Sequence, residues 1–369
     1  MFHFFYTNIL KPVYFRRDPE EVHNTMTRVG EFLGRHAITR SITSLLFSFT
    51  HPMLEQNLLG IHFPNPVGLA AGFDKDALLT DILPCVGFGF VEVGSITGES
   101  CQGNPKPRLW RLIKSRALVV YYGLKNEGCE KIAGRLRQKD FKIPIGTSIA
   151  KTNSPATVET EAGINDYVKA FHYFVDIGRY FTINISCPNA FGGEPFTDPG
   201  RLDRLLFSID SIPTAKPIFL KLSPDLSEEQ VEAILHICER HRVHGFICSN
   251  VTKRRDASRI SDEVVPAKGG ISGKVVEDLS TAQIRFIYRR IGGKYVIIGC
   301  GGIFSAEDAY MKIKAGASLV QLITGMIFEG PQLISEINRG LVQLLKRDGF
   351  QSIREAQGSA STHFTRFER

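Results

Sequence analysis

Apolar residues along this chain change rhythm near residue 60. Before that point they recur three and four apart, as one face of a helix requires. Val22, Met26, Val29 and Leu33 do so in "RRDPEEVHNTMTRVGEFLG", and Ile38, Ile42, Leu45, Leu46 and Phe49 in "ITRSITSLLFSF". Asp18 stands as N-cap of the first helix, with Pro19 at its first position and Glu21 at the capping-box position. An aromatic-rich stretch, "MFHFFYTNILKPVYF", precedes both, with Lys11, Arg16 and Arg17 close by.

From "NPVGLAAG" onward, short apolar runs alternate with amphipathic stretches such as "SEEQVEAILHICERH" and "SAEDAYMKIKAG". Eight runs read as strands: Pro66–Ala71, Phe88–Gly94, Ile143–Ile149, Phe181–Ser186, Pro217–Leu222, Gly245–Ser249, Tyr295–Gly299 and Ser318–Ile323. Repeated β–α units of that number predict an α/β fold, a (β/α)8 TIM barrel, with a small N-terminal helical extension. An open doubly wound sheet is the alternative, but no GxGxxG follows the first strand. The expected division is 1–50 for the extension, 51–350 for the barrel and 351–369 for a tail without periodic pattern, expected to be loose.

Composition narrows the function. The chain has 369 residues, 43% of them hydrophobic, enough to bury a large core. Its formal net charge of +7 suits acidic substrates, phosphate cofactors or an anionic membrane surface. No basic run interleaves with aromatics, so nucleic acid is not an expected partner. The seven cysteines form no CxxC pair, which argues for a reduced compartment and no metal site. No segment reaches the length of a membrane span. Short amphipathic helices with aromatics and basic flanks suit an interfacial membrane contact; packing as a cap on the barrel is the simpler account from composition alone.

In such a barrel, chemistry sits at the carboxyl ends of the strands. Those ends carry Gly72 and Lys75, Ser95, Ser148 and Lys151, Asn184 with Cys187 and Asn189, Lys221, and Ser249 with Asn250. Gly301, Gly302 and Gly325 close the last two strands, and Gly273 precedes a helical stretch; their backbones can approach an anion closely. This pattern predicts a phosphate-bearing ligand. Asn184, Asn189 and Asn250 offer the paired donors and acceptors a cyclic amide or imide needs. Lys75 and Lys221 are inward cations with no neighbouring carboxylate run. Cys187, between the asparagines, is a candidate base or nucleophile.

"GLAAGFDKD", "KPRLWRL", "NISCPN", "LKLSPDLS", "GGISG", "GCGGI" and "GASLVQLITG" together resemble the dihydroorotate dehydrogenases, from the first helix to about Gly349. "DPEEVH" is similar to the helix of the class 2, quinone-reducing branch, in which two helices form a membrane-facing entrance for quinone. The resemblance implies FMN held by Ala71, Gly72, Lys75, Ser95, Ser148, Asn184, Lys221 and Ser249, with Gly273, Gly302 and Thr324 at its phosphate. It implies a dihydroorotate or orotate site at Lys75, Asn184, Asn189 and Asn250, with Cys187 as catalytic base. The implied reaction oxidises (S)-dihydroorotate to orotate in pyrimidine biosynthesis, with FMN as hydride acceptor and quinone as final acceptor. The implied location is peripheral to a membrane, otherwise cytoplasmic.

Two positions depart from that pattern. Class 2 members carry serine where Cys187 stands, a cysteine being typical of the soluble class 1 enzymes. Val120 stands where the family has an orotate-binding asparagine, and Asn126 or Tyr121 is expected to compensate; Val251 likewise replaces a threonine. These leave open a soluble-type enzyme using fumarate or NAD, a related FMN oxidoreductase acting on another cyclic amide, or a flavin-binding barrel without turnover.

Overall fold

The computed structural model describes residues 2–256 and 258–361. Eight parallel strands close into a barrel: β1 (Val67–Leu69), β2 (Phe90–Ile96), β3 (Ile145–Ile149), β4 (Tyr180–Asn184), β5 (Ile218–Leu222), β6 (Gly245–Cys248), β7 (Val296–Cys300) and β8 (Leu319–Leu322). Each pairs with its neighbour in sequence, and β8 closes on β1 through Val320 opposite Val67. All eight expected strands are present. They were conspicuous because a parallel barrel strand is covered on both faces and therefore reads as a short, nearly unbroken apolar run.

Helices cross over between successive strands from β2 onward, several with the caps their sequences specify. Ser227 and Gln230 form a full capping box on Glu228–Cys238, and Ser305 accepts from the Asp308 N–H on Ala306–Ala315. The β1–β2 connection carries only a short 3-10 turn, Leu83–Val86. The N-terminal helices lie against it: α1 (Pro19–Arg35), capped by Asp18, and α2 (Ala37–Phe47). Gly30 and Gly34 of α1 face Leu79 and Ile82 so closely that a Cβ on Gly30 would sit 2.8 Å from Leu79. The aromatic stretch over 2–15 is itself helical, a third element that the sequence pattern did not announce.

Two small sheets were also not foreseen. A hairpin, Gln56–Leu58 with Ile61–Phe63, precedes β1. Above the barrel mouth, Leu109–Leu112, Ala117–Val120 and Gly270–Ile271 form an antiparallel sheet. Runs of two to four residues are too short for periodicity to reveal. The expected loose tail is corrected over 351–361. Ile353 and Ala356 are buried, and the N–H groups of Gly358 and Ala360 donate to the Ile313 and Lys314 carbonyls. Residues 362–369, the rest of that tail, lie outside the described residues.

The barrel interior is stacked in layers. Phe90, Tyr180, Phe219, Ile298 and Leu319 plug its amino-terminal end, where even Gly68 leaves no room, since a Cβ there would overlap the Phe90 ring. The carboxyl ends open into the site.

Candidate active site

The turn after β4 builds a polar floor. Asn184 Nδ2 donates to Ser95 Oγ at 2.9 Å, and that hydroxyl shares a 2.8 Å hydrogen bond with Ser148 Oγ. The Ser186 N–H and hydroxyl both donate to Asn184 Oδ1, at 3.2 and 3.0 Å. Asn250 Nδ2 in turn donates to the Ser186 carbonyl at 2.7 Å. Four strand ends are thus tied into one network, which fixes the carboxamides in place before any ligand arrives. Asn189 is held differently, its Nδ2 donating to the Val120 carbonyl at 2.8 Å.

Cys187 follows this floor and faces the same cavity as Lys75, Asn184 and Asn250. Burial pushes its thiol up to about 11, opposed by the Asn189 N–H and the Lys151 ammonium and reinforced by Glu194. The cation beside this thiol is Lys151, and its pull does not offset burial. Lys151 Nζ also donates to the Phe191 carbonyl at 2.6 Å, pinning the loop that carries the cysteine.

Lys75, after β1, lies half-buried under the N-terminal helices. Its Nζ lies 3.2 Å from His23 Nε2 of α1 and 4.1 Å from the centre of the Tyr122 ring. Desolvation lowers the ammonium to about 8, and burial with Lys75 nearby drives His23 well below its ordinary value. A neutral imidazole is therefore the acceptor of a lysine proton. Beyond this pair the cavity, about 510 Å³ in all, continues between the helices. Val22, Met26, Val29 and Leu33 of α1 line it, with Phe47 of α2 and Ile82 opposite. Tyr6, Tyr14, Thr43 and Arg111 add polar groups on that side.

At the other side of the mouth lies a cradle for an anion. Gly273, Gly302 and Gly325 all border the cavity. Packing behind them excludes any side chain: a Cβ on Gly273 would overlap the Arg116 carbonyl, one on Gly302 the Glu277 side chain, and one on Gly325 the Ile303 carbonyl. Among the described residues no acceptor meets their backbone N–H groups. Three bare donors in glycine-only positions fit a phosphate. Lys221, buried at the end of β5, points a further cation into the cavity with no hydrogen-bonding partner among the described residues. These features suit a phosphorylated planar ring such as FMN: the glycines at its phosphate, Lys221 and the Asn184 floor under the ring.

Most residues expected at the site border this one cavity: Ala71, Gly72, Lys75, Ser95 and Lys221, then Ser249, Asn250, Gly273, Gly302 and Thr324, besides the β4 turn. Ser148 does not; it lies behind Ser95 and acts through that hydroxyl. Asn126 and Tyr121 do not compensate for Val120, because neither lines the cavity, and Asn126 spends its amide on Thr97, Leu124 and Gly128. The inward lysines do have acidic neighbours, Asp74 and Asp76 beside Lys75 and Glu92 near Lys221. Sequence reasoning missed His23, Tyr122, Arg111 and Glu92. The "DPEEVH" and "KPRLWRL" motifs contained two of them, but only the docking of α1 shows what they meet.

A closed parallel barrel with a phosphate cradle at its last strand ends, a carboxamide floor and a half-buried thiol defines a flavin-type oxidoreductase barrel. The family model described as dihydroorotate dehydrogenase matches residues 53–345. A dihydroorotate dehydrogenase (quinone) of Natronomonas pharaonis is 40% identical over 350 residues, covering 95% of this chain and 98% of the relative. That of Nostoc punctiforme is 40% identical over 358 residues, covering 93% and 94%. The crystal structure of the Eimeria tenella enzyme in complex with ferulenol superimposes with a TM-score of 0.84 at 28% identity, covering 92% of this chain and 95% of that one. The chain belongs to the dihydroorotate dehydrogenase family, whose members are FMN-dependent flavoproteins.

Proposed function

We propose that the protein oxidises (S)-dihydroorotate to orotate on FMN and passes the electrons to a quinone at a membrane surface. The observation that carries this reading is the single continuous cavity. Its inner end holds Cys187, Lys75 and the asparagines, and its outer end runs between α1 and α2. A polar ring and an apolar acceptor can therefore reach the same cofactor from different sides. FMN supplies the hydride acceptor when bound.

The chain's own residues do the rest. Asn184 and Asn250, immobilised by Ser95 and Ser186, present amide groups to the imide edge of the substrate. Lys75 adds a cation for the substrate carboxylate; its desolvation and its bond to His23 keep it from wandering. Cys187 Sγ takes the proton released from the substrate ring as the hydride leaves. The apolar wall of the outer cavity keeps water away from both steps.

Membrane contact is supported by what the N-terminal helices leave uncovered. Among the described residues eighteen large hydrophobic side chains are exposed, and eleven of them lie before residue 50, with Phe4, Ile38 and Leu45 at 69, 76 and 85% exposure. An apolar face of that kind beside a cavity entrance suits a lipid surface. No helix among the described residues is long and apolar enough to cross a membrane.

The test is anaerobic. Purified holoenzyme should bleach on addition of dihydroorotate and regain its colour with a soluble quinone analogue. Holoenzyme that stays yellow with dihydroorotate would overturn the substrate, and recovery with fumarate or NAD but not quinone would overturn the acceptor.

A further inference from the structure

Lys221 stands on a layer of the barrel that the reaction so far leaves unused. Side chains on one face of a strand recur every second residue. Two residues on from Phe90, Tyr180, Phe219 and Leu319 of the plug, and on the same inner faces, therefore stand Glu92, Thr182, Lys221 and Gln321. Glu92 is fully buried. Its Oε2 accepts from Thr182 Oγ1 at 2.9 Å and from Gln321 Nε2 at 3.1 Å. Neither β4 nor β8 neighbours β2, so both hydrogen bonds cross the barrel interior. The Tyr180 hydroxyl faces the same carboxyl, although neither it nor Glu92 Oε1 completes a hydrogen bond among the described residues.

Filling space in a barrel needs no acid. A buried carboxyl costs several kcal/mol in desolvation unless a charge answers it, and an apolar side chain would pack at no such cost. The charge that answers Glu92 is Lys221: burial raises the carboxyl, and the lysine is the largest influence against that rise. Lys221 pairs in register with Asn184, one layer above Thr182. The acid thus lies beneath the ammonium, on the side away from the cavity.

We propose that Glu92 is a positioning residue for Lys221: it holds the ammonium toward the cavity and sets the net charge beneath the bound cofactor ring, and so its reduction potential. This rests on the reading of the cavity as an FMN site. Two-electron reduction adds negative charge to a flavin ring, so a nearby carboxylate disfavours the reduced form and offsets part of the lysine's attraction. Removing that carboxylate favours reduction.

The experiment compares the FMN potential of wild-type holoenzyme and Glu92→Gln by equilibration with a reference dye, alongside FMN stoichiometry and circular dichroism. The expected result is stoichiometric FMN with the oxidised–reduced equilibrium shifted at least tenfold toward reduced, about 30 mV for a two-electron couple. A structural pin alone would leave the equilibrium within twofold of wild type, and that result overturns the proposal. Should Glu92→Gln fail to fold, Thr182→Val decides. It removes one donor to the carboxylate and favours protonation of the acid, so a shift of more than about twofold in the same direction is expected; an equilibrium within twofold of wild type overturns the proposal. Wild-type protein that takes up no FMN is a different failure, that of the function proposed above.

Discussion

At the scale of single residues, the sulfur of Cys187 is the sharpest point of the site. Its pKa is pushed up to about 11 by burial, so the thiol, not the thiolate, dominates at neutral pH. The sign of the pH effect follows. Below that pKa the thiolate fraction grows tenfold per pH unit, so flavin reduction by dihydroorotate should climb with a slope near one from about pH 7 to about pH 10. A flat rapid-kinetic profile over that range would assign the proton to another group. Cys187→Ala should cost about 10²- to 10⁴-fold in the same half-reaction while FMN stays bound. Val120 makes a second case. Its side chain borders the cavity but offers no polar atom. Val120→Asn should lower the dihydroorotate KM by about tenfold, at the upper end of what a typical added hydrogen bond contributes. An unchanged KM would mean that substrate does not touch this position.

These residues were legible to different degrees, for physical reasons. Lys75, Cys187 and the three asparagines follow apolar runs directly, so their place at strand ends could be read from order alone. Glu92 sits inside such a run, "FVEVGSI", where nothing marks which strands it will face across a closed barrel. Its hydrogen-bond partner Gln321 is 229 residues away. The failure of Asn126 to replace the missing amide was equally hidden, because local turns consume its hydrogen bonds.

Among elements, the joint that matters most is that between α1 and the small sheet over the mouth. Glu20 of α1 is buried with Arg108 in a two-pronged pair, at 2.8 and 3.0 Å. Burial alone would raise the Glu20 carboxyl, but the Arg108 guanidinium outweighs it and holds the group below the ordinary glutamate range. Its contribution is therefore present at neutral pH and is lost as the pH falls through that lowered value. Glu20→Ala strands a buried guanidinium, which costs about 3–5 kcal/mol. We expect α1 to become protease-sensitive in that variant, and quinone reduction to fall much further than flavin reduction. Equal losses in both half-reactions would separate the helix from the acceptor. The helical spacing and Asp18 cap of α1 were readable; the buried pair was not, since a glutamate in a first helical turn is ordinarily a solvated partner of the helix dipole.

For the molecule as a whole, the barrel was the most legible feature, because eight apolar runs with crossovers leave few other ways to bury both faces of a parallel sheet. The extension was half legible: its amphipathic faces were plain, but one face lines a cavity and the other is exposed, which a single stripe cannot distinguish. If the exposed face meets lipid, holoenzyme should co-sediment with anionic vesicles. Ile38→Asp combined with Leu45→Asp should then reduce that binding at least tenfold without altering flavin reduction by dihydroorotate. Undiminished co-sedimentation would move the contact elsewhere.

The far-flung latch of the first helical stretch has a consequence for how the chain is made. Tyr6 donates its hydroxyl to the Ile327 carbonyl at 2.7 Å, across 321 positions, and Phe15 stacks edge-on against Phe328. A ribosome emitting residues in order exposes this greasy leader on the order of tens of seconds before its docking partners emerge. Throughout that interval the leader has no native surface to settle on, so a lipid bilayer or a chaperone can capture it first.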